Sequence, residues 1–152
     1  MEKLLFPQNP SCFRYEDSIK FCYEILRNNY ENFPLRFFFI DDKLMDDLAS
    51  IYAFCRGVDF LGDEAKGNRL EKLKLWEKEL SMLFTEKTTI PIFIALKKTI
   101  LKHNLDMLPF KKLIKANILD QSKKLYANIS EVMDYCRYSA NPVGEIVLNI
   151  LG

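Results

Sequence analysis

Histidine, glycine and long apolar runs are scarce in this chain of 152 residues. The single histidine, His103, and four widely spaced cysteines form no pattern typical of a zinc site. We therefore interpret the cysteines as reduced thiols of a cytoplasmic protein. No run of 18 apolar residues is present, so the sequence predicts no membrane-spanning helix. The first residues also lack the apolar segment of a secretory signal.

The chain carries almost no excess of either charge. It has 22 basic and 21 acidic residues, for a formal net charge of +1. This balance gives no global electrostatic argument for an acidic partner. A lysine-rich stretch over residues 111–124 contains interleaved apolar residues and is interpreted as a solvated helix face. We therefore expect no nucleic-acid partner.

Long segments with a 3.6-residue apolar period predict an all-α protein. No repeat or linker divides the chain, so residues 1–152 are predicted to form a single domain. Turn signals and caps place the ends of the helices. The first three predicted helices run from about Tyr15 to Asn28, from about Asp42 to Leu61, and from the Gly67-Asn68 turn to about Leu83. The fourth is capped by Thr88 and Thr89 and has Pro91 in its first turn. The fifth runs from about Leu108 to Tyr126, the sixth begins at Ser130, and a final apolar segment begins near Val143.

One polar stripe interrupts the apolar surface of the second predicted helix. Its members follow at i, i+4, i+7 and i+11 and therefore share one face: Tyr52, Arg56, Asp59 and Asp63. The rest of this helix is apolar, which predicts that it is buried. Carboxylates in such a helix are costly unless they are paired or bound to metal. Two explanations stay open: Arg56 neutralises the acids internally, or an external cation does.

Four blocks occur in a distinctive order along the chain. They are Asn29-Tyr-Glu-Asn-Phe-Pro34, Tyr52-Ala-Phe-Cys-Arg56 with Asp59-x-x-x-Asp63-Glu64, Pro91-x-Phe-x-Ala-Leu96, and Tyr135-Cys-Arg-Tyr-Ser-Ala-Asn-Pro-Val-Gly144. Together these blocks resemble the squalene/phytoene synthase family, most of all its hopanoid-pathway squalene synthase branch. The resemblance runs from about Cys22 to Gly152. It implies an all-α isoprenoid synthase bundle around a central cavity.

The resemblance also implies an activity, which is the Mg²⁺-dependent head-to-head condensation of farnesyl diphosphate. The product would be presqualene diphosphate, squalene or hydroxysqualene. By similarity, Asp59 and Asp63 would bind magnesium, Arg56 would contact diphosphate, and Tyr52 would line the reaction centre. Tyr135 would face the carbocations from the opposite helix. The remaining implied residues, near the metal or along the prenyl tunnel, are Asp120, Phe33, Val143, Gly144 and Val147.

The sequence departs from the family pattern in several places. The family has a second aspartate-rich motif, and no Asp-x-x-x-Asp follows Asp63. The resemblance therefore covers roughly the N-terminal half of a synthase. In the related branch an acid usually stands where this chain has Phe60, a histidine where it has Asn29, and an arginine where it has Leu125. The last difference removes one expected contact to diphosphate.

Other interpretations of the same residues stay open. Asp59 and Asp63 with Arg56 are equally consistent with an internal ion-pair set, and Tyr135 with a packed core tyrosine. Asp120 is also typical of a solvated helix end, and His103 of a helix C-terminus. For the whole chain, the alternative to a transferase is a non-catalytic helical module. Such a module would need a partner chain or the missing C-terminal half, and peripheral contact with a membrane is a further interpretation.

Overall fold

Seven helices form the part of the chain that the computed structural model describes, namely residues 5, 13–29, 41–123 and 125–152. No strand occurs in those ranges, which confirms the all-α prediction. Their bounds are α1 Tyr15–Asn28, α2 Asp42–Asp63, α3 Arg69–Met82, α4 Pro91–His103, α5 Leu108–Asp120, α6 Ile129–Ser139 and α7 Asn141–Leu151.

Helix α2 is the centre of the bundle. It packs against α1, α3, α4, α5 and α7, whereas α6 packs mainly on α5 and α7. This position follows from the sequence of α2, because apolar residues on most of its circumference bury against neighbours. The side chains of Phe54, Val58 and Leu61 are at most 1% exposed. The prediction that this helix is buried is therefore right for most of its apolar positions, although Cys55 and Phe60 are only partly buried.

Four aromatic side chains, one from each of α2 to α5, form the middle of the core. Phe54 and Trp76 have ring centroids 6.2 Å apart, and Phe110 meets Phe54 edge-on at 5.4 Å. Phe93 completes the cluster at 4.6 Å from Trp76. Such offset and edge contacts add to the burial of large apolar rings. They hold α2 in a fixed position, so its polar stripe faces a defined direction.

Most predicted helix ends lie within two residues of the observed ones, but the end of α5 and the cap of α4 differ. Helix α5 ends at Asp120 and not at Tyr126. Gln121 explains the end, because its amide donates to the main-chain oxygens of Gly62 (3.0 Å) and Asn117 (2.9 Å). Thr88 does not cap α4, whose N-cap is Ile90 without a side-chain cap bond. The Thr88 hydroxyl instead accepts from the main-chain nitrogen of Ile90 and donates to Glu79.

Within the ranges described, no helix combines the length and apolar character needed to cross a bilayer. The longest helix is α2 with 22 residues, and its polar stripe interrupts the apolar surface.

Candidate functional site

A cavity of about 450 Å³ opens along the C-terminal half of α2, beside α7. Its apolar wall includes Leu48 and Ile51 from α2 and Val143 and Val147 from α7. The polar part of the lining contains the stripe and one further acid: Tyr52, Arg56, Asp59, Asp63 and Glu64. A concave apolar space with a few converging polar groups is the usual form of a small-molecule site.

Arg56 is held from two sides. Its Nε donates to Oδ1 of Asn29 at 3.0 Å, and its Nη2 forms an ion pair with the Glu64 carboxylate. Among the described residues, Arg56 makes no ion pair with Asp59 or Asp63. The internal ion-pair set that the sequence left open is therefore absent, because a glutamate just beyond the helix end takes its place.

Asn29 also fixes the tyrosine of the stripe. The Tyr52 hydroxyl donates to the main-chain oxygen of Asn29 at 2.9 Å. Burial is the main cause that raises the pKa of this hydroxyl, and the charge of Arg56 acts in the opposite direction. Tyr52 is therefore a neutral hydroxyl at the cavity, oriented by the end of α1.

Asp59 is an acid with little compensation. Burial raises the pKa of its carboxyl above the ordinary value, and the charges of Asp63 and Glu64 add to this effect. A hydrogen bond from Asn117 and the charge of Arg56 lower the pKa. The Asn117 bond is long, with 3.5 Å between Nδ2 and Oδ1. Asp59 thus faces the cavity, and a bound cation would stabilise its ionised carboxylate.

The carboxylates suit a magnesium ion that brings its own oxygen ligands. No group of three or more His, Cys, Asp or Glu side chains in the described ranges is arranged to hold a metal ion alone. Magnesium usually binds one or two carboxylates and completes its shell with water and phosphate oxygens. Asp59 and Asp63, one helical turn apart, supply that number of carboxylates to the cavity. The donor set fits a magnesium–oxyanion complex.

A close approach between α2 and α5 positions the acids. Gly62 lies between the two aspartates and is buried. A Cβ atom there would stand 2.1 Å from Oδ1 of Asn117, the residue that bonds Asp59. The absence of a side chain at Gly62 lets the Asn117 amide reach the acid.

Two predicted site residues meet at a different place. The Tyr135 hydroxyl on α6 donates to the Asp120 carboxylate at the end of α5. Burial and this carboxylate raise the pKa of Tyr135. Tyr135 lines a second pocket of about 270 Å³, next to Tyr126, whose ring centroid is 5.3 Å away. Asp120 is therefore half-buried and bonded, and does not end the helix as a solvated acid.

The structure thus separates the predicted site residues into groups. Six line the first cavity: Tyr52, Arg56, Asp59, Asp63, Val143 and Val147. Tyr135 and Asp120 pair with each other elsewhere. Gly144 is exposed, and a Cβ atom there would meet nothing within 4 Å. Phe33 lies outside the described residues.

Sequence reasoning did not identify three residues that shape the cavity. Glu64 pairs with Arg56, Asn29 orients Arg56 and Tyr52, and Asn117 bonds Asp59. Glu64 stands beside the acidic motif, which was an available signal. Asn29 and Asn117 lie 27 and 58 residues from their partners, so no local pattern points to them.

Comparison with known proteins identifies the family of the chain. The family model for squalene/phytoene synthase matches residues 26–152. The hydroxysqualene synthase of Zymomonas mobilis is 34% identical over 122 residues, which are 79% of this chain and 41% of that protein. The phytoene synthase of Arthrospira platensis is 30% identical over 138 residues, 90% of this chain and 45% of that protein. The chain belongs to the squalene/phytoene synthase family.

Solved structures agree on the fold. A squalene synthase from Alicyclobacillus acidocaldarius superposes with a TM-score of 0.83 at 45% identity, over 90% of this chain and 52% of that one. A dehydrosqualene synthase at 23% identity gives a TM-score of 0.81 and supports the fold alone. The prediction of an isoprenoid synthase bundle is confirmed. The chain spans about half the length of the relatives it matches.

Proposed function

We propose that this chain forms a prenyl diphosphate-binding wall of a head-to-head prenyltransferase of the squalene, hydroxysqualene or phytoene synthase type. The observation that carries the proposal is the cavity itself. It places two carboxylates and a guanidinium group at the polar end of an apolar space. An allylic diphosphate such as farnesyl diphosphate has the matching form, with a charged head and a branched apolar tail.

Each lining residue has a role that its chemistry suits. Asp59 and Asp63 would hold magnesium ions that arrive with the diphosphate. When bound, magnesium neutralises charge on the leaving diphosphate and so favours its departure. Arg56 donates charge-assisted hydrogen bonds to phosphate oxygens. Val143 and Val147 exclude water from the tail, and the oriented Tyr52 ring faces the positive charge that develops when diphosphate leaves.

Ligand-dependent melting tests the proposal. We expect magnesium together with a non-hydrolysable farnesyl thiodiphosphate to raise the melting temperature, because a ligand that binds only the native state stabilises it. The double variant Asp59→Asn, Asp63→Asn should abolish the rise. A matched control, Asp17→Asn with Glu145→Gln, removes the same charge at exposed positions outside the cavity and should keep it. The absence of any rise in the unmodified chain would contradict the proposal.

The second candidate function is a helical module that acts through a partner chain. One observation favours it: α6 has no buried residue in the described structure. Apolar side chains that are at least 40% exposed lie on the last two helices: Ile129, Val132, Met133, Leu148 and Leu151. Exposed apolar patches often mark interaction surfaces. A clean monomer in size-exclusion chromatography with light scattering would exclude this function, and liposome flotation tests whether the same side chains contact a membrane.

A further inference from the structure

The guanidinium group of Arg56 has two partners of different character. Its side chain is only 17% exposed, and a charge with so little contact with water needs compensation. Asn29 supplies a neutral acceptor from the end of α1. Glu64 supplies the compensating charge, and its side chain is 52% exposed. The neutral partner is therefore built into the fold, while the charged partner is largely in solvent.

The position of Glu64 allows its side chain to move away from Arg56. It follows the last residue of α2, and its main-chain nitrogen still bonds Phe60 at 3.0 Å. Its side chain extends from the helix end to reach Arg56, eight residues earlier. An ion pair with one exposed partner contributes roughly 1 kcal/mol or less. A ligand with stronger oxyanion groups can replace such a partner at small cost.

The charges of the cavity make this exchange important. Among the described residues, three carboxylates and one guanidinium group line it, which gives these four groups a formal charge of −2. An incoming diphosphate therefore meets carboxylates and, among the described lining residues, a single guanidinium group that is already engaged. Phosphate oxygens accept the same bidentate hydrogen bonds from arginine as a carboxylate does. Glu64 and the diphosphate therefore compete for one donor group.

We propose that Glu64 is a placeholder anion, which occupies on Arg56 the position that a diphosphate oxygen takes when substrate binds. On binding, the Arg56–Glu64 ion pair opens and the Glu64 carboxylate turns to solvent. Asn29 keeps its bond to Nε, so the guanidinium group stays aimed at the cavity. This inference rests on the proposed function, and it makes Glu64 a positioning residue that sets affinity for the diphosphate head.

Binding of inorganic pyrophosphate, measured by calorimetry with and without magnesium, tests the inference. Glu64→Gln should bind pyrophosphate roughly three- to tenfold more tightly under both conditions, because Arg56 is released and the cavity loses one negative charge. Glu64→Ala should shift affinity in the same direction. Glu145→Gln, the same charge change on the exposed side of α7, should leave affinity unchanged. Melting curves check that each variant folds.

A double-mutant cycle separates competition from a general charge effect. In an Arg56→Gln background, Glu64→Gln should give a clearly smaller gain, because the shared donor is gone and only the loss of one negative charge remains. The inference is overturned if Glu64→Gln weakens binding with magnesium, which would make Glu64 a metal ligand. It is also overturned if affinity is unchanged or if the full gain persists without Arg56. If neither the unmodified protein nor Glu64→Gln binds pyrophosphate with magnesium, the proposed function is contradicted as well.

Discussion

The two halves of α2 each carry an acid, and the two acids are compensated differently. Asp47, near the start of the helix, is 3% exposed, forms an ion pair with Lys102, and lies at hydrogen-bond distance, 2.7 Å, from Nε2 of His103. It also accepts from the Thr99 hydroxyl at 3.2 Å. Asp59, three turns later, has one long hydrogen bond from Asn117 and faces the cavity.

This difference separates an acid that holds the fold from an acid that is available to a ligand. In the described residues, the partners of the Asp47 carboxylate come from α4, so its charge holds two helices together. Asp59 has no cation within ion-pair distance in the described part of the chain, and burial raises the pKa of its carboxyl. Uncompensated carboxylates at a cavity are typical of sites that bind an external cation.

Thiol labelling should show the largest effect, because one cysteine reports on each half of α2. Burial raises the pKa of Cys22 to about 12, with Asp46 adding to the shift, and raises the pKa of Cys55 to about 12, with Asp59 adding to it. Only the thiolate reacts. At pH 8, iodoacetamide should label both native thiols about a thousandfold more slowly than a thiol of pKa 9. Site-resolved mass spectrometry measures the two rates.

The same shifts define a pH window and a control. Because both thiols have a higher pKa in the folded state than in the unfolded chain, they contribute to the free energy of unfolding. This contribution is fully present below pH 9, where both thiols are protonated in either state, and is lost as pH rises toward 12. Asp59→Asn should accelerate labelling at Cys55 and leave Cys22 unchanged, because only Cys55 feels that charge. Equal acceleration at both thiols would remove the distinction between the two halves.

Asp47→Asn should cause the next largest change. The substitution removes the negative charge from Lys102 and His103 and turns one acceptor of a buried network into a donor. We expect the free energy of unfolding to fall by about 2–4 kcal/mol, less than for a fully buried pair because Lys102 is partly solvated. Urea denaturation measures the loss. Asp17→Asn, whose ion pair with Lys20 is exposed, should change stability by less than about 0.5 kcal/mol.

The contrast along α2 was only half visible in the sequence. Periodicity predicted the bounds of α1 and the shared face of Tyr52, Arg56, Asp59 and Asp63, because helical spacing is a local property. It did not predict that Asp47 is buried against His103, which was interpreted as a helix-end cation. Their 56-residue separation is closed by the packing of α2 on α4, and no local pattern encodes it.

The remaining gaps have the same physical origin. Glu64 compensates Arg56 because the chain turns beyond the helix end, and helical spacing cannot describe a residue outside the helix. Asn29 acts through the docking of α1 on α2. Asp120 and Tyr135 meet each other because α5 stops early, at a Gln121 contact with α2 that is not visible in the sequence of α5. Helical spacing therefore predicted the shared face of α2 but none of these contacts between elements.

Gly62→Ala should disturb the second half of α2 alone. The new methyl group would stand 2.1 Å from Oδ1 of Asn117, so the amide must move away and lose its bond to Asp59. We expect a loss of about 1–2 kcal/mol in urea denaturation. Gly144→Ala, with nothing within 4 Å, should instead stabilise by about 0.5–1 kcal/mol through helix propensity. Adding Asn117→Ala to Gly62→Ala should recover part of the lost free energy of unfolding. If it does not, the new methyl group does not clash with Asn117.

Asp59→Asn should have the smallest effect on stability and is the sharpest test of the comparison. Because the pKa of this carboxyl is raised in the folded state, its ionised form is less favourable there than in the unfolded chain. At pH 7 the Asp59→Asn variant should therefore have a free energy of unfolding that is unchanged within about 0.5 kcal/mol or slightly higher. At pH 3 the difference between the variant and the unmodified protein should vanish. Urea denaturation at both pH values measures this. An acid that serves ligand binding lowers the free energy of unfolding, whereas a structural acid raises it. If Asp59→Asn lowered the free energy of unfolding at pH 7 as much as Asp47→Asn does, both acids would therefore stabilise the fold.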